Sequence, residues 1–334
     1  GRHHRGAGRV RGPQRVGGRQ VAVAHLGDAA AGQLADPRGI YYAPAPLAAE
    51  GRLAFLFSGQ GAQHTNMLRD LVTQFGEMRE SFELADRVLA DRFERPLSAR
   101  VYPPPRFDRK VEQADKAALA ATNVAQPALG ASEIGLCRLL ERCGVSPAMA
   151  AGHSYGEYPA LWAAGCFSDR DLLAISEARG RFIIEEAKGD LGAMAAVQAD
   201  ADAVRRVIEP LENVWLANLN APRQTIISGS DEGLATATER LNAAGTACKP
   251  IAVSCAFHSP LVAPARDRLA EFLAAIDFKP PRFPVFSNTT ADEHAADPDA
   301  IRAVLGDHLV SPVRFVEEVE RMYDRGARIF VEVG

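Results

Sequence analysis

A strong charge of either sign is missing from this chain. Its 38 basic and 42 acidic residues leave a net charge of −4 over 334 positions, which offers no broad basic field to a polyanion and argues against nucleic acid as a partner. Cysteine is scarce and unpatterned. The five residues Cys137, Cys143, Cys166, Cys248 and Cys255 are odd in number and form no CxxC pair. Neither a disulfide framework nor a zinc site is indicated, no metal is expected, and a reducing cytoplasmic setting fits. No apolar run approaches the roughly 20 residues that cross a bilayer, and no apolar signal core follows the N-terminal arginines. Membrane insertion and export are therefore not read from the sequence.

What is present is the texture of a folded domain: 47% hydrophobic and 24% charged residues, enough for one large core or a core with a smaller attached unit. Residues 1–50 stand apart. Arg2, Arg5, Arg9, Arg11, Arg15 and Arg19 alternate with glycine and no acid occurs before Asp28, a composition expected of a solvated linker or tether, because no aromatic is interleaved to stack on bases. From Arg52 onward short apolar runs precede amphipathic stretches, as in RLAFLFSGQGAQ followed by MLRDLVTQFGEMRESFELADRVL. SPAMAAGHSYGEYPALWAAG repeats that strand, turn and helix order, RFPVFSN reads as a third strand, and ARIFVEV as a fourth. Strands alternating with helices predict a mostly parallel sheet covered on both faces. Between Gly192 and Val253 the order becomes βαββαβ, from AMAAVQ through CKPIAVS, which predicts an inserted ferredoxin-like unit.

The sharpest chemical signal is Gly152-His153-Ser154-Tyr155-Gly156, a GxSxG between a strand-like run and a helix. A turn this tight holds its serine in a strained, exposed position, and flanking glycines remove side chains that would clash. Serine needs a base within hydrogen-bond reach to become a nucleophile. Among the eight histidines, His3, His4 and His25 fall in the tether or beside it. His64 and His294 are expected in polar surface loops, His153 points across the turn, and His308 sits near the end in GDHLVSP. His258, in VSCAFHSP after the last strand of the insert, is the best base. Gly59-Gln60-Gly61-Ala62-Gln63 follows the first strand as a glycine-flanked turn whose N–H groups could serve an oxyanion; no GK[ST] follows it, which argues against nucleotide phosphate binding there.

Taken together, FSGQGAQ, GHSYGE, EARGRF, NAPRQTIISG and AFHSP, in this order over residues 52–334, resemble the malonyl-CoA:acyl-carrier-protein transacylases and the acyltransferase domains of fatty acid and polyketide synthases. The resemblance implies a hydrolase-like α/β catalytic subdomain over 51–191 and 254–334, with 192–253 as the ferredoxin-like small subdomain. It implies Ser154 as the acylated nucleophile, His258 as its base, and a backbone carbonyl near His308 to orient that base. It further implies oxyanion N–H groups from Gln60 and Tyr155, a second glutamine, Gln63, lining the site, and Arg179, 25 positions after Ser154, gripping the carboxylate of a malonyl unit. A guanidinium suits that task because its planar donors match a carboxylate two for two.

Cys255-Ala256-Phe257-His258 is similar to the HAFH pattern of malonyl-selective domains, with Phe257 crowding an α-methyl branch and Cys255 departing from the pattern. GHSYGEY is most like iterative enediyne-type synthases, with polyunsaturated fatty acid synthases as near neighbours. The implied substrates are malonyl-CoA and a phosphopantetheinylated acyl carrier protein, with no bound cofactor; other domains of a larger synthase, a ketosynthase among them, are the implied partners. Both chain ends then read as cuts through such a synthase. Two rivals remain at this level. An α/β-hydrolase such as a thioesterase would place an acid before the histidine in the chain, and a non-catalytic docking domain would carry an unreactive Ser154.

Overall fold

The computed structural model describes residues 51–186, 192–251, 253 and 255–334, together with the backbone of two short strands in the N-terminal segment. Those strands, β1 (Leu34–Asp36) and β2 (Ile40–Tyr42), pair antiparallel and belong to a unit, residues 1–51, separate from residues 52–334. The tether reading therefore misses one hairpin; the arginine-rich stretch itself lies outside the described residues.

In the second unit β3 (Arg52–Phe57) is the middle strand of a parallel sheet, flanked by β4 (Met149–Gly152) and β9 (Ala327–Val333). The period-two alternation of a strand sends β3 side chains to opposite faces. Phe55 and Phe57 enter the main core with Leu129 and Tyr158, while Ala54 packs with Met149, Ala151, Phe286 and Met322 in a second cluster. Leu129 belongs to α5 (Thr122–Arg142), Tyr158 to α6 (Glu157–Ala163) and Met322 to α12 (Phe315–Asp324), so helices cover both faces.

Two readings change in detail. The stretch after the first strand forms two helices, α1 (Arg69–Gln74) and α2 (Gly76–Val88), because Phe75 between them is extended. RFPVFSN makes only isolated bridges, Val285 parallel to Ala150 and Phe286 antiparallel to Glu293. Pro284 has no N–H to give a ladder, and from Ser287 the chain coils into a turn closed by Ala291, at φ 55°.

The insert is a four-stranded antiparallel sheet of β5 (Ala193–Val197), β6 (Val214–Ala221), β7 (Gln224–Gly229) and β8 (Cys248–Ile251), ordered β6-β7-β5-β8. Its apolar side packs on α8 (Ala201–Ile208) and α9 (Asp231–Ala243) through Val204, Ile208, Leu234 and Leu241. That order and that helix cover are ferredoxin-like. The outer edge of β6 is also tied to the rest of the unit: Leu219 donates to the Val313 carbonyl and Val313 donates to that of Ala217, both at 2.8 Å.

Candidate active site

The GxSxG segment is β4, a single 3₁₀ turn over Ser154–Gly156, and then α6. Ser154 sits at φ 52°, a left-handed conformation that costs a non-glycine residue on the order of 1–3 kcal/mol. Both flanking glycines are forced by close backbone approach. A Cβ on Gly152 would lie 1.9 Å from the Gly156 carbonyl, and one on Gly156 would lie 2.3 Å from the Phe57 carbonyl oxygen. The turn is thereby pressed against the C-terminal end of β3, where FSGQG begins.

The Ser154 hydroxyl donates to Nε2 of His258 at 2.8 Å. On the far side of the ring, Nδ1 faces the carbonyl oxygens of Ser311 at 2.9 Å and His308 at 3.2 Å. Carbonyls only accept, so Nδ1 carries the proton and Nε2 presents its lone pair to the serine. His258 is itself at φ 59° and only 2% exposed, held in that posture by its own N–H bonding to the Leu309 carbonyl. Burial, reinforced by His308, Arg179 and His153, pushes its pKa well below 6.5.

Arg179 reaches the same cavity from α7 (Asp169–Glu185), a helix started by a Ser168–Asp171 capping box. It is 2% exposed, yet its Nε and Nη2 have no hydrogen-bond partner; its guanidinium lies 5.5 Å above the Tyr158 ring. Buried guanidinium donors are rarely left unmatched, since an unsatisfied charged group is costly. Arg179 lines one cavity with Gln60, Ser154, Phe257 and His258, to which the insert contributes Met194, Ile226 and Asn218.

The residues named from the sequence are not all gathered here. Ser154, His258, Arg179, Gln60 and Phe257 line one cavity, and the Gln60 side chain is fixed by Thr122 at 3.2 Å and Gln126 at 3.1 Å. Gln63 does not line it. Its Oε1 instead accepts the Gly61 N–H at 2.7 Å and closes the loop on itself. Tyr155 turns its side chain into the core, where its hydroxyl meets Ser176 at 2.7 Å. The His308 carbonyl does face His258, but that of Ser311 is nearer. His294 is not a surface residue: its side chain is buried and bonds Glu157 at 2.7 Å. A buried acid at the start of α6 draws it inward.

Sequence reasoning also missed Asn288, fully buried beneath the serine. Its Oδ1 accepts the Ser154 N–H at 2.6 Å, and its Nδ2 donates to the Gly152 carbonyl at 2.6 Å and to Glu318 at 2.8 Å. Its signal was an asparagine ending an apolar run, too common to single out alone. Around it burial raises the Glu318 pKa well above 4.5 and lowers His308 to about 4. The Glu157 carboxyl, which burial alone would raise, is kept below its ordinary range by His308, His294 and the Asn288 N–H. Among the described residues no group of three or more His, Cys, Asp or Glu is arranged to hold a metal ion, and no helix is long and apolar enough to cross a membrane.

A family model described as acyl transferase domain matches residues 54–334. The chain belongs to the acyl transferase domain family. This acyl transferase domain is 37% identical over 290 residues to a malonyl CoA-acyl carrier protein transacylase of Bacillus subtilis, covering 85% of the chain and 86% of that protein. It is also 35% identical over 307 residues, 89% of the chain, to a polyunsaturated fatty acid synthase chain of Thraustochytrium, of which it spans only 11%. Among solved structures, a type II polyketide synthase malonyl-transacylase in complex with its acyl-carrier protein superposes with a TM-score of 0.77 at 33% identity, over 85% of this chain and 89% of that one.

Proposed function

We propose that this acyl transferase domain moves a malonyl group from malonyl-CoA, through an ester on Ser154, to the phosphopantetheine thiol of an acyl carrier protein. The observation that carries the reading is Arg179, whose guanidinium is buried with Nε and Nη2 unmatched and whose side chain lines the cavity that holds the Ser154–His258 pair. A planar pair of charged donors inside a serine acylation site calls for an acyl group that ends in a carboxylate. An acetyl group would leave those donors unmatched, whereas malonyl supplies the two oxygens they lack.

The transfer takes two half-reactions. His258 Nε2 accepts the hydroxyl proton as Ser154 Oγ attacks the thioester carbonyl. The tetrahedral oxyanion is received by the N–H groups of Gln60 and Tyr155, donors fixed in place before charge develops. Collapse expels coenzyme A as its thiol, with the proton returned from His258. The carrier thiol then gives its proton to His258 and attacks the seryl ester, and collapse restores the Ser154 hydroxyl. Arg179 holds the carboxylate through both halves, and Phe257 leaves no room for a branch at the α-carbon. No step requires a bound cofactor.

The hydrolase alternative places a carboxylate behind the histidine; here backbone carbonyls of Ser311 and His308 occupy that side of the ring, which favours the transferase reading. A division into a catalytic subdomain (51–191 and 254–334) and a small subdomain (192–253) belongs to the same proposal, with the cavity at their junction. So does a cytoplasmic setting in a larger iterative synthase of the enediyne or polyunsaturated fatty acid kind, beside a ketosynthase. The test is partition: with malonyl-CoA and a phosphopantetheinylated carrier, label should collect on the carrier in large excess over free malonate. Dominant release of malonate would favour the hydrolase.

A further inference from the structure

We propose that Asn288 is a positioning residue for this acyl transfer, one amide that holds both the strained serine turn and the frame of the base. The inference rests on the seryl-ester reading above. Its ground is geometric. Ser154 keeps φ 52° only if something outside the turn opposes its relaxation, because a left-handed serine gains by unwinding. The Asn288 side chain grips the chain as it enters that torsion: Oδ1 takes the Ser154 N–H and Nδ2 gives to the Gly152 carbonyl, each at 2.6 Å. The backbone of Asn288 adds a third hold, its N–H donating to Glu157 Oε2 at 2.8 Å, at the first residue of α6. Strand end, turn and helix start are thus fastened to one residue.

The orientation of the amide is itself fixed. Glu318 Oε2 accepts from Nδ2 at 2.8 Å, so the nitrogen faces α12 and the oxygen faces the serine. On the oxygen side His308 Nε2 donates at 3.4 Å. His308 is the last residue of α11 (Pro298–His308), its ring meets that of His258 edge-on at 5.4 Å, and its carbonyl is one of the two that accept from His258 Nδ1. Asn288 therefore reaches the nucleophile through one bond and the support of the base through one residue. The Ser154 to His258 distance is set between two backbones, each at positive φ, that share this buried support.

Without the amide the serine turn can relax, and a displacement of the nucleophile by about 1 Å is enough to slow a reaction by about 10²-fold. Malonyl binding would be spared, since Arg179 and Phe257 stand on other elements. The experiment is pre-steady-state acylation of Ser154 by malonyl-CoA, read by intact mass in wild type, S154A, N288A and N288D, with circular dichroism on each. N288A should acylate about 10²-fold more slowly with half-saturating malonyl-CoA changed less than about twofold. N288D keeps the volume and the Oδ1 acceptor and decides the matter should N288A not fold. It should be slowed about tenfold, and fall further behind wild type as pH rises and the new carboxyl ionises beside Glu157 and Glu318. Acylation by a folded Asn288 variant at the wild-type rate, or a loss expressed only as weaker saturation, would overturn the proposal. A wild type that forms no adduct, or an S154A protein that does, would instead sink the seryl-ester reading.

Discussion

Replacing Arg179 by alanine separates binding chemistry from acyl chemistry, and its size can be worked from the structure. Two guanidinium donors, Nε and Nη2, are buried without partners, so a malonyl carboxylate placed there gains two charge-assisted hydrogen bonds. Each such bond contributes ~1.5–3 kcal/mol. The truncated cavity admits water that solvates the carboxylate in part, so the lower end of the sum applies, ~3–4 kcal/mol. That corresponds to a fall of roughly 10²–10³-fold in kcat/KM for malonyl-CoA. Acetyl-CoA has no carboxylate to lose, and in the native site it leaves the donors unmatched. Its kcat/KM should stay level or rise. The assay is competition: malonyl-CoA and acetyl-CoA offered together, with the loaded serine read by mass. A malonyl to acetyl preference that collapses by about two orders of magnitude supports the clamp; equal losses for both substrates would refute the reasoning and return Arg179 to a structural role.

Two further outcomes follow from the same geometry. Because burial drives His258 well below 6.5, the neutral, proton-accepting form persists into acid. Serine acylation should stay flat through about pH 6.5, where an ordinary histidine would be half inactive, and decline only at lower pH; a pH–rate profile of single-turnover loading with a midpoint at about 6.5 or above would contradict it. Gly156→Ala should cost about 3 kcal/mol or more in urea denaturation, since the added Cβ would meet the Phe57 carbonyl oxygen at 2.3 Å and that atom belongs to a central strand that cannot give way.

Much of the site was legible because its features are local. The GxSxG turn announces itself by two glycines and a serine between strand and helix, and the structure supplies the reason in the contacts those glycines leave open. The insert was legible from its order of elements. What the sequence hid are relations across long separations. Asn288 lies 134 positions from Ser154 and His294 lies 137 from Glu157, and no local pattern marks either as buried. The family resemblance assigned Gln63 to the site, but a two-residue bond back to Gly61 satisfies its side chain within the loop. RFPVFSN has the apolar content of a strand, yet Pro284 removes a donor and the turn at Ala291 ends the run, so only isolated bridges form.

The central claim is that Ser154 carries the acyl group. Wild-type protein incubated briefly with malonyl-CoA and taken to intact mass should gain one malonyl group, which peptide mapping assigns to the segment holding Ser154 and which a phosphopantetheinylated carrier then removes; Ser154→Ala should gain nothing. An adduct of the same mass that survives Ser154→Ala, or one on the wild type that the carrier cannot discharge, would contradict the account.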